Sequence, residues 1–214
     1  MSIFEILVKG GVLMIPIGLV SIIALAILIE RLISLRKIRI NAEAFSERVR
    51  YLLSTQRVDD AIVLCDQTPG PIAAITRAGL RKHNRPREEI KDAIETAAES
   101  EVYHLERYLG WLGTIAAIAP LIGFLGTVTG MIRAFLQIQT LGGNVDASVL
   151  AGGIWEALIT TAAGLSVGIP ALIFYNWLQG KVELHVFEMR ERSSELMDLL
   201  LEEERQETVN ENQD

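Results

Sequence analysis

The sequence predicts an all-α membrane protein with three transmembrane helices, the second and third extended into the cytoplasm. Three observations carry that expectation. Half of the 214 residues are apolar, and they concentrate in three blocks at 12–29, 109–132 and 157–180. Charged residues gather between the blocks rather than alternating within them, as they do not in a soluble chain of equal composition. The intervening segments keep a helical period instead of a strand period.

The first block, at 12–29, carries no charge and is long enough to cross a hydrocarbon core that needs ~20 apolar residues. Glu30-Arg31-Leu32 after it offers no small-residue cleavage site, so the block is expected to stay as an anchor rather than leave as a signal peptide. The region 31–108 reads as cytoplasmic helices. Ile40, Ala44, Val49 and Leu52 or Leu53 keep helical spacing, a short helix is expected over 58–66, and Pro69-Gly70-Pro71 breaks the chain. A further helix is expected over 72–82. Pro86 then suits the first turn of the next one, with Glu88 and Glu89 near its positive end. Ile90, Ile94, Ala97, Glu101 and Leu105 run on without a breaker, which predicts one continuous helix into the second span at 109–136.

A short periplasmic loop is expected at 137–155, the third span at 156–180, and a cytoplasmic helix with an acidic tail at 181–214. Val182, Val186, Met189, Ser193, Leu196 and Leu200 make a stripe four and three apart, suited to packing against the 40–108 helices or a neighbouring subunit. Beyond Leu201 the Glu- and Asn/Gln-rich end reads as disordered.

Lysines and arginines orient the chain. Arg31, Arg36, Lys37 and Arg39 follow the first span, Arg107 precedes the second, and Lys181, Arg190 and Arg192 follow the third, whereas 137–155 has neither Lys nor Arg. The expected location is the cell inner membrane, multi-pass, with a periplasmic N-terminus and a cytoplasmic C-terminus. The net charge of −7 arises mostly in 181–214, and no basic patch points to nucleic acid. Cys65, the single cysteine, permits no intrachain disulfide.

Spans two and three each have a small-residue face. Ala157, Thr160, Thr161, Gly164, Gly168 and Ala171 fall within an arc of about 100° at 100° per residue. Ala116, Ala119, Gly123, Gly126, Thr127, Gly130 and Ala134 do the same on the second span. Small residues four apart allow close packing in lipid, and threonine hydroxyls can be satisfied by their own helix. Both readings stand beside a functional one, in which these faces build the wall of an ion path. Glu156 either reaches the interface or marks a path or a buried partner. Pro120 and Pro170 loosen the ladder at the carbonyls of Ala116 and Ser166, which then need protein or water nearby.

Ala119-Pro120-Leu121-Ile122-Gly123-Phe124-Leu125-Gly126-Thr127-Val128-Thr129-Gly130-Met131 resembles the second-span signature of the ExbB/TolQ branch of the MotA/TolQ/ExbB proton channel family. Glu156-Ala157-Leu158-Ile159-Thr160-Thr161-Ala162-Ala163-Gly164-Leu165, followed by Ile169-Pro170-Ala171 and Tyr175-Asn176, resembles the third-span signature. The resemblance covers 3–200. It implies a channel-forming subunit of a proton-motive-force-driven inner-membrane motor, a pentamer around the spans of a dimeric, single-span ExbD/TolR-like partner, with a TonB/TolA-like protein beyond. It implies that Thr127 and Thr161 are pore threonines and that Glu156 is the third-span carboxylate. Thr160 joins them as a pathway candidate where relatives often have a small residue. Gly123, Gly126, Gly130, Gly164, Gly168, Pro120 and Pro170 are expected to pack the helices around that pore.

Rival classes find less support. His83, His104 and His185 are isolated, no metal-ligand spacing is present, and the 123–127 stretch has no Lys for a phosphate loop, so neither an enzyme, a metal nor a cofactor is expected. A self-sufficient transporter would favour internal repeats. A passive envelope scaffold shares every packing feature.

Overall fold

The computed structural model describes residues 10–38, 41–140 and 147–211, the last segment with side chains from 151 to 200. Every regular element among them is an α-helix: α1 Met14–Lys37, α2 Ala42–Ser54, α3 Val58–Gln67, α4 Pro71–Leu80, α5 Arg87–Glu106, α6 Leu109–Thr140 and α7 Ala147–Glu211. Three helical stretches, beginning with α1 and including α6 and the first half of α7, are long and apolar enough to cross a membrane. Ile40, the first residue of the expected helical spacing, lies outside the described residues.

The chain divides into two compact units, Met1–Arg31 with Tyr108–Gln179, and Leu32–Arg107 with Gly180–Asp214. In the second unit, α3 packs on α2 and α4, and α4 on α5. Its core is built from one face of each helix: Phe45, Val49 and Leu53, then Ala61 and Cys65, then Ile72, Ile75 and Leu80, then Ile90 and Ile94. Asn41 caps α2, its side-chain oxygen accepting from the Ala44 N–H at 3.2 Å. The break at Pro69-Gly70-Pro71 falls where the sequence puts it. Gly70 has φ +119, a conformation closed to most side chains, and Pro71 opens α4 at its first turn. The tail stripe is buried at Val182, Met189, Leu196 and Leu200, and Leu196 approaches Gly79 of α4. The stripe is therefore absorbed, at least in part, by the chain's own helices. Burial pushes the Cys65 thiol up to about 11, with the Asp66 carboxylate adding to the rise.

Three boundaries differ from expectation. The helix entering the second span is not continuous: α5 ends at Glu106, and α6 starts at Leu109 after a break in which Tyr108 has φ +66. No Gly or Pro marks that break, so the hydrophobic pattern could not reveal it. Tyr108 is instead held by tertiary contact, its ring lying 5.7 Å from the guanidinium of Arg31. The segment 137–155 is mostly helical as well, because α6 continues to Thr140 and α7 begins at Ala147. α7 also keeps a helical backbone to Glu211, through the stretch read as disordered.

Candidate functional site

The site is the seam between α6 and the first half of α7, inside the first unit. The small-residue faces of the two helices meet each other there, and the chain runs antiparallel across them. Gly168 faces Pro120 and Ala116, Gly164 faces Ala119 and Gly123, Thr160 faces Gly126, and Gly153 faces Gly130 and Ala134. The approach is close enough to require glycine. A Cβ on Gly164 would stand 2.5 Å from the Ala119 carbonyl oxygen, and one on Gly130 would stand 2.9 Å from that of Gly153. Substitution would have to move backbone, not a flexible side chain. Backbones this near exchange dispersion and Cα–H···O contacts that a bulkier seam would lose.

Pro120 belongs to this seam. It leaves the Ala116 carbonyl without its usual donor one turn on, and a Cβ on Gly168 would stand 3.1 Å from that oxygen. The loosened carbonyl thus faces Gly168 of α7. Pro170 behaves differently, since it lies exposed on α7 in the single chain.

The seam has two edges. Thr160 and Thr161 are 100° apart on α7, as are Gly126 and Thr127 on α6, so each pair straddles the contact line. On one edge the Thr161 hydroxyl donates across the seam to the Gly123 carbonyl at 2.9 Å. Thr127 stands one turn along α6 from Gly123, and its own hydroxyl donates to Phe124 O at 2.6 Å. On the other edge Thr160 is 1% exposed. Its hydroxyl sits 3.0 Å from both Glu156 O and Ala157 O, and its side chain fills the space left by Gly126. Glu156 follows on that edge, and Arg133 Nη1 donates to its Oε1 at 2.5 Å.

The four residues expected along a path are thus divided. Thr127 and Thr161 share one edge, and Thr160 and Glu156 share the other. The second edge is also the α1 side: Gly10 packs toward Ile159, and Gly11 packs against the Glu156 carboxylate. Gly123, Gly126, Gly130, Gly164 and Gly168 are all buried between α6 and α7 of one chain.

Sequence reasoning missed Arg133 as a partner. The antiparallel register is nonetheless a usable signal. If Gly126 meets Thr160 and Gly130 meets Ala157, the next turn brings 133 toward 156. Arg31 was likewise read only as an orienting charge. It is 3% exposed and pairs with Glu30 at 2.5 and 2.7 Å. Among the described residues no group of three or more His, Cys, Asp or Glu could hold a metal ion.

Two apolar helices joined through glycine, and a third apolar helix long enough to span beside them, define a multi-pass membrane protein. The chain belongs to the MotA/TolQ/ExbB proton channel family, whose sequence profile matches residues 67–191. It lies in the ExbB/TolQ branch, a branch of channel and transport proteins rather than enzymes. It is 31% identical over 183 residues to a putative biopolymer transport protein ExbB homolog of Methanothermobacter thermautotrophicus, covering 85% of this chain and 64% of that protein. It is 40% identical over 102 residues to the biopolymer transport protein ExbB of Salmonella typhimurium, covering 45% of this chain and 41% of the relative. It is 34% identical over 124 residues to the Tol-Pal system protein TolQ of Pseudomonas aeruginosa, 53% of each. The chain therefore spans between about two fifths and two thirds of the length of these relatives.

Proposed function

We propose that this chain is the channel-forming subunit of an inner-membrane motor driven by the proton motive force. In this reading it energises transport or envelope processes through an ExbD/TolR-like partner. Several copies, five by family resemblance, surround the spans of a partner dimer, and a TonB/TolA-like protein carries the work onward. The N-terminus and the 137–155 region face the periplasm, and the segment after Gly180 faces the cytoplasm.

One observation carries the reading. Thr127 and Thr161 share the edge of the α6–α7 seam that faces away from α1. That edge is the one available to an axis if α1 stands on the outside of the ring. A carboxyl brought by the partner loses water on entering such an axis, at several kcal/mol if unpaired. Hydroxyls can replace part of that hydration. Both donors are committed to carbonyls here, so the free lone pairs favour a protonated carboxyl, which can donate to them. The glycines serve the same design indirectly, by fixing the two helices as one rigid wall. Glu156 stands on the opposite edge and is not the main proton carrier.

The second reading is a passive membrane scaffold. What favours it is that the hydroxyls of Thr127, Thr129 and Thr160 all donate to carbonyls of their own helix, as packing threonines do. Reconstitution separates the two readings. The chain co-purified with its single-span partner is placed in liposomes under a proton gradient, with and without that partner. A motor subunit gives partner-dependent proton uptake, and a scaffold gives none in either state.

A further inference from the structure

Within 109–140 and 147–180 the sequence contains one cation, Arg133, and one anion, Glu156. The fold brings these two together at 2.5 Å on the α1 edge of the seam. Glu156 is the more enclosed partner, its side chain 22% exposed against 53% for Arg133. An unpaired carboxylate at this depth would be expensive, and removing one member of such a pair leaves the other uncompensated. The turn before α1 closes over the same carboxylate. Gly11 has φ +70, and a Cβ there would overlap Glu156 Oε1. Gly10, beside it, packs against the Met14 side chain and against Ile159, one turn along α7 from Glu156, with a would-be Cβ 2.5 Å from Met14 Cγ and 3.0 Å from Ile159 Cγ2. Three elements thus converge on one carboxylate: α6 through Arg133, α7 through Glu156 itself, and the entry to α1 through Gly10 and Gly11.

We infer that Arg133 and Glu156 form a charged fastener that docks the start of α1 onto the α6–α7 pair, with Gly11 as the cover that only a glycine can provide. The fastener keeps Glu156 turned toward α1 and away from the Thr127–Thr161 edge. It assigns Arg133 a role, and it makes the third-span carboxylate an anchor for the first span. The inference rests on the fold of the single chain. Only its bearing on proton flow rests on the function proposed above.

The test reads docking directly. In a Cys65→Ala background, Gly10→Cys and Ile159→Cys are introduced together, and the rate of disulfide formation is followed in lipid nanodiscs without any partner. Arg133→Gln or Glu156→Gln alone is expected to slow the crosslink about tenfold, within the coupling range of contacting residues. Arg133→Lys, which keeps the charge, should stay near the parent rate. The exchanged pair Arg133→Glu with Glu156→Arg should recover to within about threefold of the parent, whereas the double Gln variant, which has no charged fastener, should stay as slow as the single changes. Crosslinking that ignores the single changes overturns the fastener. So does an exchanged pair as slow as the product of the two singles. Because no proton flux is measured, failure here is distinct from failure of the motor reading, which the liposome experiment addresses.

Discussion

The Thr161 hydroxyl reaches across the α6–α7 seam to the Gly123 carbonyl at 2.9 Å. In an α-helix that carbonyl also accepts from the N–H four residues on, which belongs to Thr127. The two threonines are therefore linked through one carbonyl, although their hydroxyls do not touch. Thr161→Val should remove the cross-seam bond and lower stability in lipid by about 0.6 kcal/mol, the average for such bonds in membranes. Thr127→Val removes only an own-helix bond and should leave stability nearly unchanged. The double variant is expected to abolish energy transduction while the chain still assembles. Thr129, whose hydroxyl returns to Leu125 O and Gly126 O, is the control, and Thr129→Val should transduce normally. Client uptake in cells and oligomer size in detergent check these outcomes together.

Glycines in the seam and glycines outside it should respond in opposite directions to the same change. A Cβ on Gly164 would fall 2.5 Å from a backbone oxygen, whereas nothing lies within 4 Å of one on Gly18 in α1. Gly164→Ala is expected to destabilise the bundle by about 1–3 kcal/mol through overpacking. Gly18→Ala should be neutral, or stabilising by about 0.5–1 kcal/mol, because alanine is the better helix former. Thermal unfolding of the two variants in the same detergent distinguishes the cases.

The break between α5 and α6 makes a third prediction. Tyr108 holds φ +66 while its ring meets Arg31. Tyr108→Phe keeps the ring beside Arg31 and should cost less than a change that removes the ring. Tyr108→Val puts a β-branched residue at positive φ and loses the ring, and is expected to lower stability by on the order of 1–3 kcal/mol. Equal melting temperatures for the two variants would show that the break is not held at this residue.

In the second unit, Glu195 on α7 receives both Arg192 and Arg50 of α2. Its carboxyl lies below the usual carboxylate range, first because Arg192 hydrogen-bonds it, then because both guanidinium charges favour the ionised form. The sign follows from linkage: a group with a folded pKa below its unfolded value contributes stability above the ordinary carboxylate range, and that stability fades as pH falls through the lowered folded value. The chain should therefore lose stability on acidification in that window. Glu195→Gln should flatten the loss there while lowering stability modestly at neutral pH, as pH-dependent melting curves would record.

How far the sequence alone reached can be seen residue by residue. Hydropathy fixed the three spans, because apolar length is a direct requirement of the hydrocarbon core. The spacing of Gly123, Gly126, Gly130, Gly164 and Gly168 placed each set on one helical face, because 100° per residue is a property of the backbone. Pro69-Gly70-Pro71 announced its break by its own chemistry. What the spacing left open was the partner of each face, since a small face suits a neighbouring subunit, an ion path or another helix of the same chain equally well. Only the tertiary contacts placed the glycine faces against each other in antiparallel register. That register sent Thr161 and Thr160 to opposite edges and set Arg133 against Glu156, a meeting between residues 23 apart in sequence that no local pattern encodes. The turn at Tyr108 was equally invisible, because a tyrosine carries no intrinsic preference for positive φ and is held there by its surroundings. Local rules determined which residues can form helices and faces, and long-range packing decided which faces meet.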